Sequence, residues 1–426
     1  MSDNDVGNRV CRGRGKPPIA GWSRNTDHPD LSIGRFHLGE HHVDGLVLER
    51  RARVQIHPIE IVVRRVSGPA LCPDGTETEI NGLHSVAHLP SLARRLCNEL
   101  GLSGIETAAT FDWVATNDIE FGWFIPTYGD GPTLTDRSSM VPPSNELFAR
   151  VSNAAERAGF EYLLVPVAAA CWEAWITTAM MIPQTSTIDM LVAARPGVIA
   201  PTMMAKMIST FDQLSGGRIR VNLIAGGGER ESRADGVYLD HDQRYEFMDE
   251  TVTLMKQCWA NNRPFDFAGK HVRAENVDVR PKPLQDPHPP FYIGGISPAA
   301  VEVGTKHADV YLFWSNTFDQ IAADIATVRE AAEQHGRGDK LRLGLRSHVL
   351  VRESAEEARA AVETLIAGAT ESMRTNRENS LGAESHADAR MREVASAASD
   401  MDHWLTDTLW AGITTIRHGA GVTIVG

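Results

Sequence analysis

From about residue 118 onward the chain alternates short apolar, β-rich runs with longer stretches of helical period. This alternation restricts the fold more than any other feature. Seven runs read as strands: IEFGWFIP from Ile119, EYLLVPV from Glu161, IDMLVAA from Ile188, IRVNLIAG from Ile219, PPFYIGG from Pro289, VYLFW from Val310 and LRLGLRSHVLV from Leu341. A helical pattern follows each. SNELFARVSNAAERAGF opens on Ser144, a side chain suited to capping free N–H groups, and stops near Gly159, where a left-handed residue ends a helix without steric cost. TFDQIAADIATVREAAEQHG and SAEEARAAVETLIAGA repeat the scheme, with Thr or Ser ahead of an acidic first turn and glycine near the end. Seven βα steps in series predict the α/β class and a (β/α)8 TIM-type barrel, with a doubly wound open sheet as the alternative.

Residues 1–113 lack such patterning. They hold twelve Arg against one Lys and seven of the 16 His, and no methionine stands between Met1 and Met140. They are expected to be an atypical extension, disordered or mistranslated, ahead of a barrel over 114–426; a genuine variable N-terminal domain is the alternative. A net charge of -13 excludes general affinity for nucleic acid, which needs a basic field. The five cysteines, Cys11, Cys72, Cys97, Cys171 and Cys258, form no CxxC pair, so neither a metal centre nor a disulfide framework is expected. No signal peptide and no apolar stretch of bilayer length is present, which places the chain in the cytoplasm by expectation.

Two places carry chemistry by residue type and spacing. Arg346 and His348 lie two apart on the last strand, so both point to one face, the barrel interior, where buried charge needs a partner. That partner is either an interior carboxylate or an anion brought by a ligand. Gly294, Gly295 and Ser297 follow the fifth strand and open a helix; free N–H groups and a hydroxyl at such a turn suit a phosphate, although many such turns merely reverse the chain.

The blocks FIPTYGDG, VPVAAACWEAW, SGGRIRVNLIAGG, DGVYLDHDQRYE, FYIGGISPAA, YLFW, LRSHVLVRE and IRHGAG appear in that order between Asp118 and Gly426. In order and spacing they resemble the bacterial luciferase-like flavin monooxygenases, and most closely the reduced-FMN-dependent alkanesulfonate monooxygenases. The resemblance implies a two-component enzyme: an NAD(P)H-dependent FMN reductase supplies reduced FMN, molecular oxygen is the co-substrate, and a small organosulfur substrate is split to aldehyde and sulfite. It also implies a homo-oligomer. Arg346, His348, Arg417, Cys171 and Trp314 match positions of the family's active site, Arg417 on a loop that closes over the flavin. Asn222, Tyr245, Gly294, Gly295 and Ser297 match flavin-contacting positions. Two other readings stay open, a deazaflavin-dependent oxidoreductase of the same fold and a non-catalytic flavin-binding remnant.

Three departures accompany the resemblance. Tyr128 stands at a flavin-side position where the sulfonate enzymes carry histidine, Ala225 replaces a threonine, and Ala169 replaces an arginine, which lowers the positive charge offered to a sulfonate. The sequence ends at Gly426, before the point where the family continues into an eighth strand. The barrel is therefore expected to lack that strand and to leave two sheet edges unpaired.

Overall fold

The computed structural model describes residues 57–63, 119–131, 134–226, 228–379, 386–398, 401–417 and 420–426. Most of the segment read as an extension, residues 1–56 and 64–113, lies outside the described residues, as does the expected barrel start at Val114.

In chain order the elements begin with β1 (His57–Val63), β2 (Ile119–Phe124), α1 (Asn145–Arg157), β3 (Tyr162–Val165), α2 (Ala174–Met181), β4 (Asp189–Ala194), α3 (Pro201–Ser215) and β5 (Ile219–Leu223). Next come α4 (Glu229–Ala234), α5 (His241–Ala260), a hairpin of β6 (Phe265–Ala268) and β7 (Arg273–Val277), then β8 (Phe291–Gly294), α6 (Pro298–His307), β9 (Val310–Trp314) and α7 (Phe318–Gln334). The last elements are β10 (Arg342–Leu350), α8 (Ala355–Ile366), α9 (Glu371–Asn379), α10 (His386–Ala397), β11 (Leu409–Trp410) and β12 (Thr423–Val425). The expected caps are in place. Ser144, Thr317 and Ser354 each accept an N–H from the first turn of their helix, and Gly159 and Gly336 adopt left-handed backbone just past α1 and α7.

Strands β2, β3, β4, β5, β8, β9 and β10 pair in parallel in that order, as the seven apolar runs predict. No parallel eighth strand stands between β10 and β2 among the described residues. The two edges nonetheless are not left open, contrary to expectation. β1, from within the segment read as an extension, pairs antiparallel with both: Glu60 stands opposite Arg346 on one side and Gly122 on the other. A free edge exposes a row of backbone donors and acceptors, and HPIEIVV, rich in β-branched residues, satisfies both rows. β1 thus belongs to the same compact unit as the barrel. Beyond the end of β9, β12 pairs with His348–Leu350 of β10.

Alternation sorts the strand residues into two sets. One set faces the helices: Leu163, Val165, Met190, Val192, Val221, Phe291, Ile293 and Tyr311 are buried against helix residues such as Met204, Ile208, Met248 and Met255, and make the main core. The other set fills the barrel. Phe124, Tyr162, Leu164, Leu191, Tyr292, Val310 and Leu312 form a separate interior cluster. Polar residues share these interior positions, Glu120 and Arg220 near the base and Asn222 and Arg346 higher up.

Candidate active site

Above the interior cluster, at the C-terminal ends of the strands, lies a cavity of about 1040 Å³. Its floor takes one interior residue from each parallel strand: Phe124, Leu164, Ala193, Asn222, Gly294, Leu312 and Arg346. Each stands two positions beyond an interior residue of the layer below, so the floor follows from strand period alone. In barrels of this class the loops at that end carry the chemistry.

Nine of the eleven residues singled out from the sequence line this cavity: Arg346, Arg417, Cys171, Trp314, Asn222, Tyr245, Gly294, Gly295 and Tyr128. Two do not. His348 lies one interior step further along β10, 3% exposed, at the register position of Thr423 in β12. Ser297 caps α6, its hydroxyl accepting from the Ala300 N–H at 3.2 Å and lying against the Tyr245 hydroxyl. That hydroxyl is occupied within the fold, so the turn faces the cavity with the residues 294–296 instead.

Physical constraints at the turn are severe. A Cβ on Gly294 would stand 2.5 Å from the Leu312 carbonyl oxygen, and one on Gly295, at φ +142, 2.6 Å from the Ala300 Cβ. The Tyr311 hydroxyl donates to the Gly295 carbonyl at 2.8 Å and fixes the turn from below. Burial pushes the Tyr245 phenol up to about 12, against the lowering effect of Arg244 and Ser297, so it stays protonated.

At the opposite rim the Arg417 guanidinium lies 5.3 Å from the centre of the Tyr128 ring. Burial pushes the Cys171 thiol up, Thr127 and Arg417 pull it down, and Glu231 opposes them. The net shift is upward, so the group is a thiol rather than a nucleophilic thiolate. Among the described residues no cluster of His, Cys, Asp and Glu is placed to hold a metal ion, and no helix is long and apolar enough to cross a membrane.

The structure adds cavity residues that sequence reasoning missed. Arg195, 7% exposed, forms ion pairs with Glu231 at 3.2 Å and with Asp235. Glu231 also accepts the Ala169 N–H at 3.1 Å, tying the β3–α2 and β4–α3 loops to α4. Arg195 continues the interior series Asp189, Leu191, Ala193, so the period that singled out Arg346 would have found it. Arg390 of α10 donates to both oxygens of Asp324 in α7, at 2.7 and 2.9 Å. A pair 66 positions apart leaves no local signal.

A parallel barrel with a cofactor-sized cavity at its strand ends, floored mostly by apolar residues with Asn222 and Arg346 among them and bordered by a bare glycine turn and further arginines, defines an α/β-barrel enzyme that handles a small molecule. Residues 119–422 match the luciferase-like monooxygenase family, and the chain belongs to it. Among solved structures it is similar to DmoA from Hyphomicrobium sulfonivorans, with a TM-score of 0.55 and 17% identity over 66% of this chain and 72% of that one. EDTA monooxygenase (EmoA) from Chelativorans sp. BNC1 matches with a TM-score of 0.54 at 17% identity, over 66% of this chain and 76% of that one. The long-chain alkane monooxygenase LadA matches with 0.50 at 17% identity over 53% of this chain; the chain spans 62% of that protein's length. At such identity the likeness establishes the fold, the luciferase-like α/β barrel, and leaves the substrate to the site.

Proposed function

We propose that the chain is a two-component flavin monooxygenase. It takes reduced FMN from a separate NAD(P)H-dependent reductase and, with molecular oxygen, cleaves the C–S bond of an organosulfonate to aldehyde and sulfite. The observation that carries this reading is the Gly294–Gly295 turn, which opens into the same cavity as Arg346 and Arg417. A flavin nucleotide fits that turn because no side chain can occupy it, and because a helix starts directly behind it, the arrangement that receives phosphate groups.

In this reading residues 294–296 and Tyr245 hold the flavin nucleotide, the protonated phenol donating a hydrogen bond, and Asn222 meets its polar edge. When bound, reduced FMN supplies the activation of oxygen. Phe124, Leu164 and Leu312 keep water from the cavity floor, which strengthens every electrostatic contact above it. Arg346 and Arg417 bind the sulfonate oxygens, a pairing that is strong when the donor is a guanidinium and the acceptor an anion. Trp314 closes the wall beside Arg346, and Cys171 contributes a neutral thiol surface.

The test combines binding with turnover. The full chain is titrated anaerobically with reduced FMN, then supplied with an FMN reductase, NAD(P)H and a panel of sulfonates while oxygen uptake and sulfite are followed. One sulfite per productive oxygen is expected, and Arg346→Met should lower kcat/KM by about 100-fold, the scale of one lost charged contact in the transition state. Flavin binding with no sulfite from any substrate would defeat C–S cleavage, and deazaflavin reduction without oxygen uptake would replace it.

A further inference from the structure

Three loops meet at the rim of the cavity. Tyr128 lies in the β2–α1 loop, Cys171 in the β3–α2 loop, and Arg417 follows the 3-10 turn Gly412–Thr415. The first two loops are joined by the Trp172 N–H, which donates to the Thr127 carbonyl at 3.0 Å. The third reaches them through a side chain, since the Arg417 guanidinium sits 5.3 Å from the centre of the Tyr128 ring, within the range of cation–π attraction. All three side chains line the cavity.

An arginine in a loop has a long side chain with much rotamer freedom and ordinarily extends into water. Here its charge is felt at the Cys171 sulfur, which the Thr127 hydroxyl also contacts and which Glu231 opposes, so the guanidinium is directed inward. An aromatic face is the support that such a group needs at a partly wet rim: it attracts the cation without neutralising it.

We propose that Tyr128 is a positioning residue, whose ring face holds the Arg417 guanidinium against the cavity so that the positive charge of the rim is in place before any ligand arrives. The inference rests on the functional reading above for its purpose, but the arrangement itself belongs to the unliganded chain. An anion then meets a guanidinium already ordered, and less freedom is lost on binding.

Cys171 serves as the reporter in the test. Cys11, Cys72 and Cys97 are replaced by serine in the full chain, and Cys258 is fully buried with its thiol pushed up to about 11 by that burial. Cys171 is then the thiol that reacts with an aromatic disulfide reagent. Its rate is followed from about pH 7 to 10, and the apparent pKa is the readout, since a smaller neighbour also alters access. Arg417→Gln should raise that pKa by about half a unit to one unit, equivalent to a three- to tenfold loss of thiolate at fixed pH. Tyr128→Leu should reproduce the shift, Tyr128→Phe should leave the pKa near that of the parent chain, and Tyr128→Leu with Arg417→Gln should shift it no further than Arg417→Gln alone. If Tyr128→Leu does not fold, as judged by circular dichroism, Tyr128→Met takes its place. The proposal is overturned if Arg417→Gln leaves the thiol unchanged, if the Tyr128 and Arg417 shifts add, or if Tyr128→Phe behaves as Tyr128→Leu. No flavin or sulfonate is present, so failure of the monooxygenase reading and failure of this one are separate results.

Discussion

The two ends of one barrel interior use the same residue types to opposite effect. At the base Arg220 donates to Asp189 at 2.8 Å, to Glu120 at 2.9 Å and to the Tyr292 hydroxyl at 2.7 Å, and lies over the Tyr162 ring. Arg342 adds a second cation 3.3 Å from Glu120, so two guanidiniums face two carboxylates. Nothing is left to offer a ligand. At the mouth Arg195 and Arg390 are likewise matched by carboxylates, and Arg195, Arg346, Arg390 and Arg417 all line the cavity. An interior arginine is therefore not evidence of a site in itself. Its height in the barrel decides, because the base is closed by side chains from facing strands and the mouth is opened by the loops.

The sharpest way to break this comparison is to remove one cation at each end. Arg220→Met takes the ion pair from Asp189 and leaves the buried Glu120 with Arg342 alone, and should cost about 3 kcal/mol in urea unfolding, while the folded fraction keeps its flavin affinity. Arg346→Met, on the open side of the same interior, should lose activity and change stability by less than about 1 kcal/mol. Equal stability losses at both positions would show that the mouth is as structural as the base.

A smaller effect separates the glycines that shape the cavity from those that only end helices. Gly295→Ala forces a Cβ to within 2.6 Å of Ala300 at φ +142, so a shift of the turn is unavoidable. FMN affinity should fall by about tenfold or more, with a stability loss of about 1–3 kcal/mol. Gly336→Ala, at φ +64 with open space around it, should cost about 1 kcal/mol and leave flavin binding untouched. Fluorescence titration of both variants checks the contrast.

Much of this architecture was legible because it is local or periodic. The seven parallel strands, the caps at Ser144, Thr317 and Ser354, and the cavity position of Arg346 follow from alternation and from turn chemistry, whereas Asn222 and Trp314 were picked out by the family resemblance. Contacts made at long range were not. HPIEIVV carries no sign of which edges it will join, since antiparallel closure between β2 and β10 is set by what those edges lack. Ser297 was ambiguous for a different reason: a hydroxyl at a helix start suits a phosphate and a cap equally, and in the structure it caps the helix, accepting the Ala300 N–H beside the Tyr245 phenol.

The smallest effect concerns a buried charge in the helix layer outside the barrel interior. Lys256 of α5 packs over the Phe291 ring and donates to the His307 carbonyl at 3.2 Å. Burial pushes its pKa down to about 8; Asp309 pulls it back up and Arg337 adds to the depression. Between pH 8 and the ordinary value of 10.5 the unfolded chain holds more protons at this site than the folded one, so its contribution to stability rises with pH across that window. Below pH 8 the ammonium is charged in both states and its full penalty applies. Lys256→Met should therefore be more stable than the parent near neutrality by about 1 kcal/mol, after allowing for partial solvent screening and the lost contact to His307. The advantage should shrink as pH climbs toward 10.5, because the parent sheds its penalty and the variant has none to shed. Thermal unfolding of both proteins across that range measures the gap directly. A gap that stays constant with pH would mean that Lys256 is held without cost.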